Sequence, residues 1–480
     1  MSAWRLRTIV SEANRVRFTE IQAEFSRLED SSDAASPQVE ARATADGGAR
    51  AVADGGSPRP QSVDQAAEGI HDREERFWDE VAGHGTPLID PCRDDETMRE
   101  VTFLYGADSP DVRSVRLVAN RVTDKDRAAE GIMGHVPGTG IWGVTLTLPA
   151  DLRCSYGFSP SASETPEPLG TPRQPGPPVL VDPFNADPPL RRPVTGKDSP
   201  GASSGQTVGT SVFSGPLAPD HSAWTVGQGA GAAGAGTTGG NGHGLAGPVA
   251  VADREILGAP YPVYVSTPET QQPTGLLVLF DGHEWFDALN VAGALEASGL
   301  PPLVIIGIGT RSIPERVATL RGNRDFLRAV AEELVPQIES ELSEQGVVLP
   351  DRSRRVVSGQ SLGGLSSLLM ALDSPEAFGT ALPHSPSLWW QPGGTATPAD
   401  LATAEGDDWT TNLFLAAERR DMAFHLAVGS REGLMVDRAR RLAEVLDEKG
   451  CTTSVSVYQG GHDYACWRGA LIDGLRRVFG

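Results

Sequence analysis

The stretch VVSGQSLGGLSSLLMAL, Val356 to Leu372, decides how the rest of the chain is read. It opens on a β-branched run (Arg354–Ser358), passes through Gly359-Gln-Ser-Leu-Gly363, and continues as a helix rich in small residues (Leu362–Leu372). Strand, G-x-S-x-G turn and helix are the context of a nucleophile elbow, which lifts a serine hydroxyl above a sheet while its glycines let backbone and helix approach closely. The same five-residue pattern recurs as GASSG at Gly201–Gly205. With 55 glycines in 480 residues, a random chain of this composition yields the pattern roughly half a time. GASSG has no apolar strand before it and no periodic helix after it, so it reads as a chance match, and Ser361 is the candidate nucleophile.

Outward from the elbow, residues 249–480 alternate strand and helix, the pattern of an α/β layer with a mostly parallel sheet. Leu276–Phe280, Leu303–Ile308, Phe424–Val428 and Ser454–Tyr458 read as strands; Asp325–Leu342 and Val436–Lys449 read as helices. Upstream, Glu100–Tyr105, Ser114–Asn120, Trp142–Leu148 and Cys154–Phe158 are short β-type runs between turn residues. They predict a small all-β sandwich over 75–160. Residues 161–248, dense in Pro and Gly, read as a connector whose flexible part is Gly227–Gly244. Residues 1–74 dissolve into Ala, Gly, Asp, Ser and Pro after a weakly amphipathic start, and read as a largely disordered extension. The expected architecture is an α/β-hydrolase catalytic domain preceded by a β-sandwich.

A serine hydroxyl needs a base, and this fold supplies its partners in the order Ser, Asp or Glu, His, on loops at strand ends. Of nine histidines, His462 in QGGHDYACW directly follows the last strand. His425 falls inside a strand, and His283 and His384 fall in loops of lesser weight. Glu432 in VGSREG occupies the loop after the Phe424–Val428 strand and is the favoured acid. Asp437, inside the following helix, is its rival, whereas Asp463 adjoins His462 and should point elsewhere. The backbone N–H of Leu362 is one expected oxyanion donor; the other is sought in LFDGHEWF, at Gly282 or His283. These parts describe two-step acyl transfer on an ester. It calls for no metal and no organic cofactor, and neither H-E-x-x-H nor a Walker loop is present.

Composition narrows the partners. A net charge of -22 argues against nucleic acid and against an anionic membrane surface, and an anionic substrate would have to meet a local arginine cluster. No window approaches the roughly eighteen apolar residues of a spanning helix. The opening residues carry no secretory-signal pattern, and Cys92, Cys154, Cys451 and Cys466 show no zinc spacing. A cytoplasmic location with reduced thiols is expected; the oligomeric state is left open.

The motifs VVSGQSLGGLSSLLMAL, PHSPSLWW, VGSREGLMVDRARRLAEVL and GGHDYACWRGAL together resemble the catalytic domain of enterochelin esterases. RVATLRGNRDF (Arg316–Phe326) and LFDGHEWF are similar to further segments of that family. FWDEVAGHGTPLI, EVTFLYG, PGTGIWGVTLTLPADLRCSYGFSP and LVDPFNADPP resemble its N-terminal β-sandwich, so the likeness spans about 75–480 apart from the Gly-rich insertion. The resemblance implies Ser361, Glu432 and His462 as a triad. It implies a small-molecule substrate, a ferric catecholate siderophore built as a cyclic or linear triester of dihydroxybenzoyl-serine, with iron arriving on the substrate. Arg316 matches an arginine expected near the catecholate, and Trp467 and Arg468 are candidates to line the same cleft. The first 74 residues and the stretch near 227–244 have no counterpart in the family. A different acyl ester, a thioester or an acyltransferase reaction on the same fold remains an alternative.

Overall fold

The computed structural model describes residues 18–23, 25, 63–168, 177–193, 207–225, 249–394, 406–418 and 421–480. Helix α1 (Val63–His84) leads into strands β1 (Leu88–Pro91), β2 (Met98–Gly106), β3 (Ser114–Ala119), β4 (Gly134–His135), β5 (Ile141–Pro149), β6 (Arg153–Ser161), β7 (Leu190–Pro193) and β8 (Thr207–Ser214). They form two antiparallel sheets, ordered β1-β2-β5-β4 and β3-β6-β8-β7. Val101, Phe103, Leu117, Tyr156, Phe158 and Phe213 share the core of this sandwich, as period-two alternation of inward side chains requires.

The sandwich is larger than expected. Strands β7 and β8 come from the segment read as connector, and β8 pairs directly with β6. Proline and glycine density hid a β-branched run, TVGTSVFS, that becomes a strand once β6 offers it a partner. The expected extension is corrected too. Helix α1 crosses the boundary at 75, and Phe18, Ile21 and Phe25 pack with Phe77, Val81 and Leu104 in a satellite core. Their i, i+3, i+7 spacing is one helical face, and the Phe18 N–H donates to Thr145 Oγ1 at 3.0 Å. The remainder of 1–62, like GASSG and Gly227–Gly244, lies outside the described residues.

Strands β9 (Val249–Ile256), β10 (Ala259–Ser266), β11 (Gly275–Phe280), β12 (Leu303–Ile308), β13 (Arg355–Gln360), β14 (Thr380–His384), β15 (Ala423–Gly429) and β16 (Thr452–Tyr458) form one sheet, ordered β16-β15-β14-β13-β11-β12-β10-β9. Strands β11 to β16 are parallel, and β9 and β10 add an antiparallel edge. Helices α2 (Val291–Ala297), α3 (Ile313–Leu320), α4 (Arg324–Ala329), α5 (Val335–Glu344), α6 (Leu362–Asp373), α7 (Trp409–Ala416), α8 (Leu434–Glu448) and α9 (Tyr464–Phe479) cover it. A π-helical turn at Val330–Leu334 joins α4 to α5, so the helix expected over Asp325–Leu342 is continuous but locally widened to i→i+5 hydrogen bonding. Helices α2 and α9 pack on one face, and α4 to α8 on the other. With both faces covered, β11 and β12 are buried at every residue, which is why they read as unbroken apolar runs.

The chain enters at β11, steps outward to β12, then crosses back to β13 on the other side of β11. Strand order therefore reverses between β11 and β13, and a crevice opens at their carboxyl ends. Asp281 and Gly282 follow β11 there; Ser361 follows β13.

His384, expected in a loop, is the last residue of β14 and fully buried. Burial pushes its pKa down to about 3, so the folded protein keeps it neutral where the unfolded chain protonates it near 6.5. Between these values the unfolded state binds more protons, and stability gained from this group rises with pH to about 6.5 and is flat above. His384→Gln should flatten the melting temperature against pH below 6.5 relative to the parent, measured by calorimetry; parallel curves would show that the imidazole takes up no proton on unfolding.

Candidate active site

Ser361 sits between β13 and α6 with φ 57° and ψ -117°, a left-handed conformation that a serine adopts only under constraint from its surroundings. Three hydrogen bonds supply that constraint: its N–H donates to the His384 carbonyl, and its carbonyl accepts from the N–H groups of Leu365 and Ser387, all at 3.0 Å. Gly359 is required by packing, because a Cβ there would lie 2.5 Å from the Gly363 backbone. The Ser361 hydroxyl lies 3.5 Å from that of Ser387. Leu362 begins α6, so its N–H is among the amides a helix leaves without an internal acceptor, at the positive end of the helix dipole.

Glu432 lies in the helical turn Ser430–Glu432 that follows β15. Its Oε1 accepts from the Gly429 N–H (2.8 Å) and the Ser385 hydroxyl (2.6 Å), and its Oε2 meets His462 Nδ1 at 2.6 Å. Burial alone would raise the carboxyl pKa; the bond to His462 and the attraction of its charge, aided by Ser385 and Gly429, outweigh it and hold the group below the usual carboxylate value. A carboxylate only accepts, so Nδ1 carries the proton of that bond, and in a neutral imidazole Nε2 is the nitrogen left to accept. The two candidate acids are far apart in character. The Glu432 side chain is 1% exposed and bonded to the imidazole, whereas Asp437 is 69% exposed on α8 beside Arg440. Asp463 turns away from the imidazole as expected: it caps α9 and accepts from the Ser155 N–H and hydroxyl. His425 is half-buried in β15 with its Nδ1 on the Ser454 hydroxyl, 2.9 Å away.

On the opposite side of the crevice, Asp281 is buried with φ 59°. It accepts from both Nε (2.6 Å) and a terminal nitrogen (2.8 Å) of Arg316. Burial works against the Arg316 charge, but Asp281 outweighs it and pushes the guanidinium pKa up. Gln360 ties this pair to the elbow, donating through Nε2 to Asp281 Oδ2 and to the Tyr464 hydroxyl, both at 2.7 Å, while its Oε1 accepts from Trp285 Nε1 at 3.2 Å. Gly282 packs on the Gly307 backbone, and His283 Nδ1 accepts the Thr310 N–H at 3.4 Å. Arg316 thus stands at the crevice with its fork engaged by Asp281, the residue that begins the expected oxyanion segment.

Two residues expected to line the cleft do not. Trp467 is buried beneath the histidine loop, its ring edge-on to His462 with centroids 4.8 Å apart, and its Nε1 donates to the Ser385 hydroxyl at 2.9 Å. Arg468 is 1% exposed and reaches His221 Nδ1 at 2.8 Å; burial lowers its pKa to about 10. Helix α9 is covered by the sheet on one side and by β6 of the sandwich on the other, so consecutive residues of its first turns are both buried. Ser385, Ser387 and Gln360 were not singled out from the sequence. PHSPS displays two serines, yet nothing in its spacing reports that Ser385 reaches a carboxylate 47 residues away.

Among the described residues no group of three or more His, Cys, Asp or Glu side chains could hold a metal ion, and no helix is long and apolar enough to cross a membrane.

Residues 255–478 match the family model of putative esterases, and residues 100–224 match that of the enterochelin esterase N-terminal domain. With the elbow and the strand order described above, this makes the chain an esterase with an α/β-hydrolase domain. The iron(III) salmochelin esterase of Escherichia coli O6:H1 is 35% identical over 408 residues, 83% of this chain and 92% of that protein. The iron(III) enterobactin esterase of Escherichia coli K12 is 27% identical over 405 residues, 79% of this chain and 91% of that protein. The crystal structure of ferric enterobactin esterase from Salmonella typhimurium superposes with a TM-score of 0.65 at 25% identity, covering 84% of this chain and 98% of that one. The chain belongs to the enterochelin esterase family.

Ser385→Ala removes a hydroxyl bonded to a buried carboxylate, an interaction worth about 1.5–3 kcal/mol. It should lower kcat on a p-nitrophenyl ester about 10- to 100-fold, whereas Asp437→Asn should stay within about twofold. The reverse order in steady-state kinetics would move the acid from Glu432 to Asp437.

Proposed function

We propose that Ser361, His462 and Glu432 form a catalytic triad that hydrolyses the ester bonds of a ferric catecholate siderophore. His462 Nε2 takes the Ser361 proton as Oγ attacks an ester carbonyl, and Glu432 stabilises the imidazolium through Nδ1–H. The Leu362 N–H, with an N–H of the Gly282–His283 segment, receives the charge that develops on the carbonyl oxygen. The tetrahedral intermediate collapses as His462 returns its proton to the departing serine hydroxyl of the substrate. Water then repeats the sequence on the acyl-enzyme, releasing the free acid and restoring Ser361. None of these steps draws on a metal or organic cofactor; ferric iron enters as part of the substrate, and cutting the triester weakens its chelation. The single observation carrying the triad is the 2.6 Å bond between His462 Nδ1 and the buried Glu432, beside the elbow.

Siderophore specificity is supported by relatives that match across both domains and are named for iron(III) salmochelin and enterobactin. It is also supported by local charge. Against the net -22 of the chain, three arginines gather where β domain and histidine loop meet. An Arg127 terminal nitrogen donates to the Arg121 carbonyl at 3.2 Å. Burial, and then the charge of Arg127, lowers the pKa of Arg431, whose N–H donates to the Gly460 carbonyl. Cations so placed suit an anionic ferric tris-catecholate. We place the reaction in the cytoplasm; recovery of the protein in a membrane or periplasmic fraction would overturn that location.

The test incubates purified protein with ferric enterobactin, its linear trimer, a salmochelin and p-nitrophenyl esters, with products followed by mass spectrometry. Stepwise release of dihydroxybenzoyl-serine is expected. Turnover of simple esters with none of any tris-catecholate would leave an esterase of another substrate class. Ser361→Ala and His462→Ala should each cost about a thousandfold or more in kcat.

A further inference from the structure

The loop that carries His462 is gripped from the other domain. Asn120 opens the turn after β3 in the sandwich, and its side-chain amide faces both backbone polar groups of His462. Asn120 Oδ1 accepts the His462 N–H at 2.9 Å, and Asn120 Nδ2 donates to the His462 carbonyl at 3.3 Å. This pairing fixes the two peptide planes that flank the imidazole. Its direction is unambiguous, because the reversed amide would set donor against donor and acceptor against acceptor.

Asn120 is itself held. Its N–H donates to the Ser155 carbonyl at 2.9 Å. The next residue, Arg121, has φ 56° and donates its N–H to Asp124 Oδ1 at 2.9 Å. On either side of His462 the grip continues: the Arg153 N–H donates to the Gln459 carbonyl (3.0 Å), and Ser155 donates twice to Asp463 Oδ2 (3.0 and 2.9 Å). Gly461 completes the fit, since a Cβ there would stand 2.3 Å from Asn120 Oδ1 and 2.7 Å from the Arg121 side chain. The imidazole therefore has a carboxylate from its own domain on Nδ1 and a carboxamide from the neighbouring domain on its main chain.

We infer that Asn120 is a positioning residue for His462, which makes the β-sandwich a part of the catalytic apparatus. The inference rests on His462 being the general base. A base on a short loop must be held within about 0.5 Å of its productive place, and a 1 Å displacement can cost about a hundredfold in rate. Glu432 fixes one ring nitrogen and leaves the ring free to ride with its backbone. Asn120 removes that freedom without touching the reacting atoms.

The test compares the parent with Asn120→Ala, Gly461→Ala, the double variant and His462→Ala, on a p-nitrophenyl ester and on ferric enterobactin. Asn120→Ala should lower kcat about 10- to 100-fold on both substrates by the same factor, with KM within about twofold. Gly461→Ala, which acts from the other side of the contact, should do the same, and the double variant should be no worse than the weaker single one. The far-downfield proton resonance of the His462 Nδ1–H···Glu432 bond should broaden in Asn120→Ala, a signature that loss of domain stability alone would not produce in a variant with parental circular dichroism. Parental kcat in both single variants while His462→Ala is inactive would overturn the inference and leave the triad standing. A loss confined to ferric enterobactin, or appearing only in KM, would make Asn120 a substrate contact and overturn it equally. Activity retained in His462→Ala would instead remove the general base on which the inference rests.

Discussion

The structure is organised around one expensive arrangement: an ionised carboxylate, Glu432, buried against an imidazole. Burying a charge without partners costs several kcal/mol, and the protein offsets this by saturating both oxygens. Gly429, at the end of β15, donates its backbone N–H; Ser385, just past β14, donates its hydroxyl; His462, past β16, donates Nδ1–H. Three adjacent parallel strands thus end at one carboxylate. Trp467 closes the arrangement from below by donating to Ser385 and stacking edge-on under His462. Every one of these partners depends on the strand ends being aligned, so the register of β14, β15 and β16 is as much a property of the site as of the sheet.

Backbone strain is concentrated along the same edge. Asp281, Ser361 and Ser385 are non-glycine residues with positive φ, at 59°, 57° and 41°, and each is the first residue after a parallel strand: β11, β13 and β14. Such residues cost of order 1–3 kcal/mol each and persist where their surroundings over-determine them. Asp281 is held by Arg316 and Gln360, Ser361 by backbone bonds to β14 and α6, Ser385 by Glu432 and Trp467. The sharp turns project side chains upward from the sheet, which a chain relaxing into an ordinary loop would not do. Gln360 connects two of the three, so the turn after β11 and the elbow after β13 are set by one buried amide.

Much of this was legible from residue order. The apolar runs at Leu276–Phe280 and Leu303–Ile308 read as strands because both of their faces are buried, and the elbow, Glu432 and His462 were found because each stands next to a readable strand. What was not legible depended on surfaces brought together from distant parts of the chain. Strand β8 looks like linker until β6 pairs with it, and Phe18, Ile21 and Phe25 look like stray hydrophobics in a polar segment until the sandwich presents a face to them. Trp467 and Arg468, expected at the cleft from the family resemblance, are buried instead because α9 is enclosed on two sides. The contacts of Ser385 and Asn120 are the extreme case, since their partners lie 47 and 342 residues away.

The two domains share a boundary strand, and its alternation explains why they act as one body at the site. Along β6, Cys154 and Tyr156 point into the sandwich core, where the Tyr156 hydroxyl donates to Asp182 at 2.7 Å and Thr86 does the same from the far side. Ser155 points the other way, onto Asp463 at the start of α9, and the backbone of Arg153 meets Gln459 and Cys466 beside it. Period-two geometry makes these assignments inseparable: a one-residue slip of β6 would turn Ser155 into the core and Tyr156 onto the loop. The core of the sandwich therefore fixes the register with which the sandwich meets the hydrolase domain, and the position of His462 is referenced to two hydrophobic cores at once.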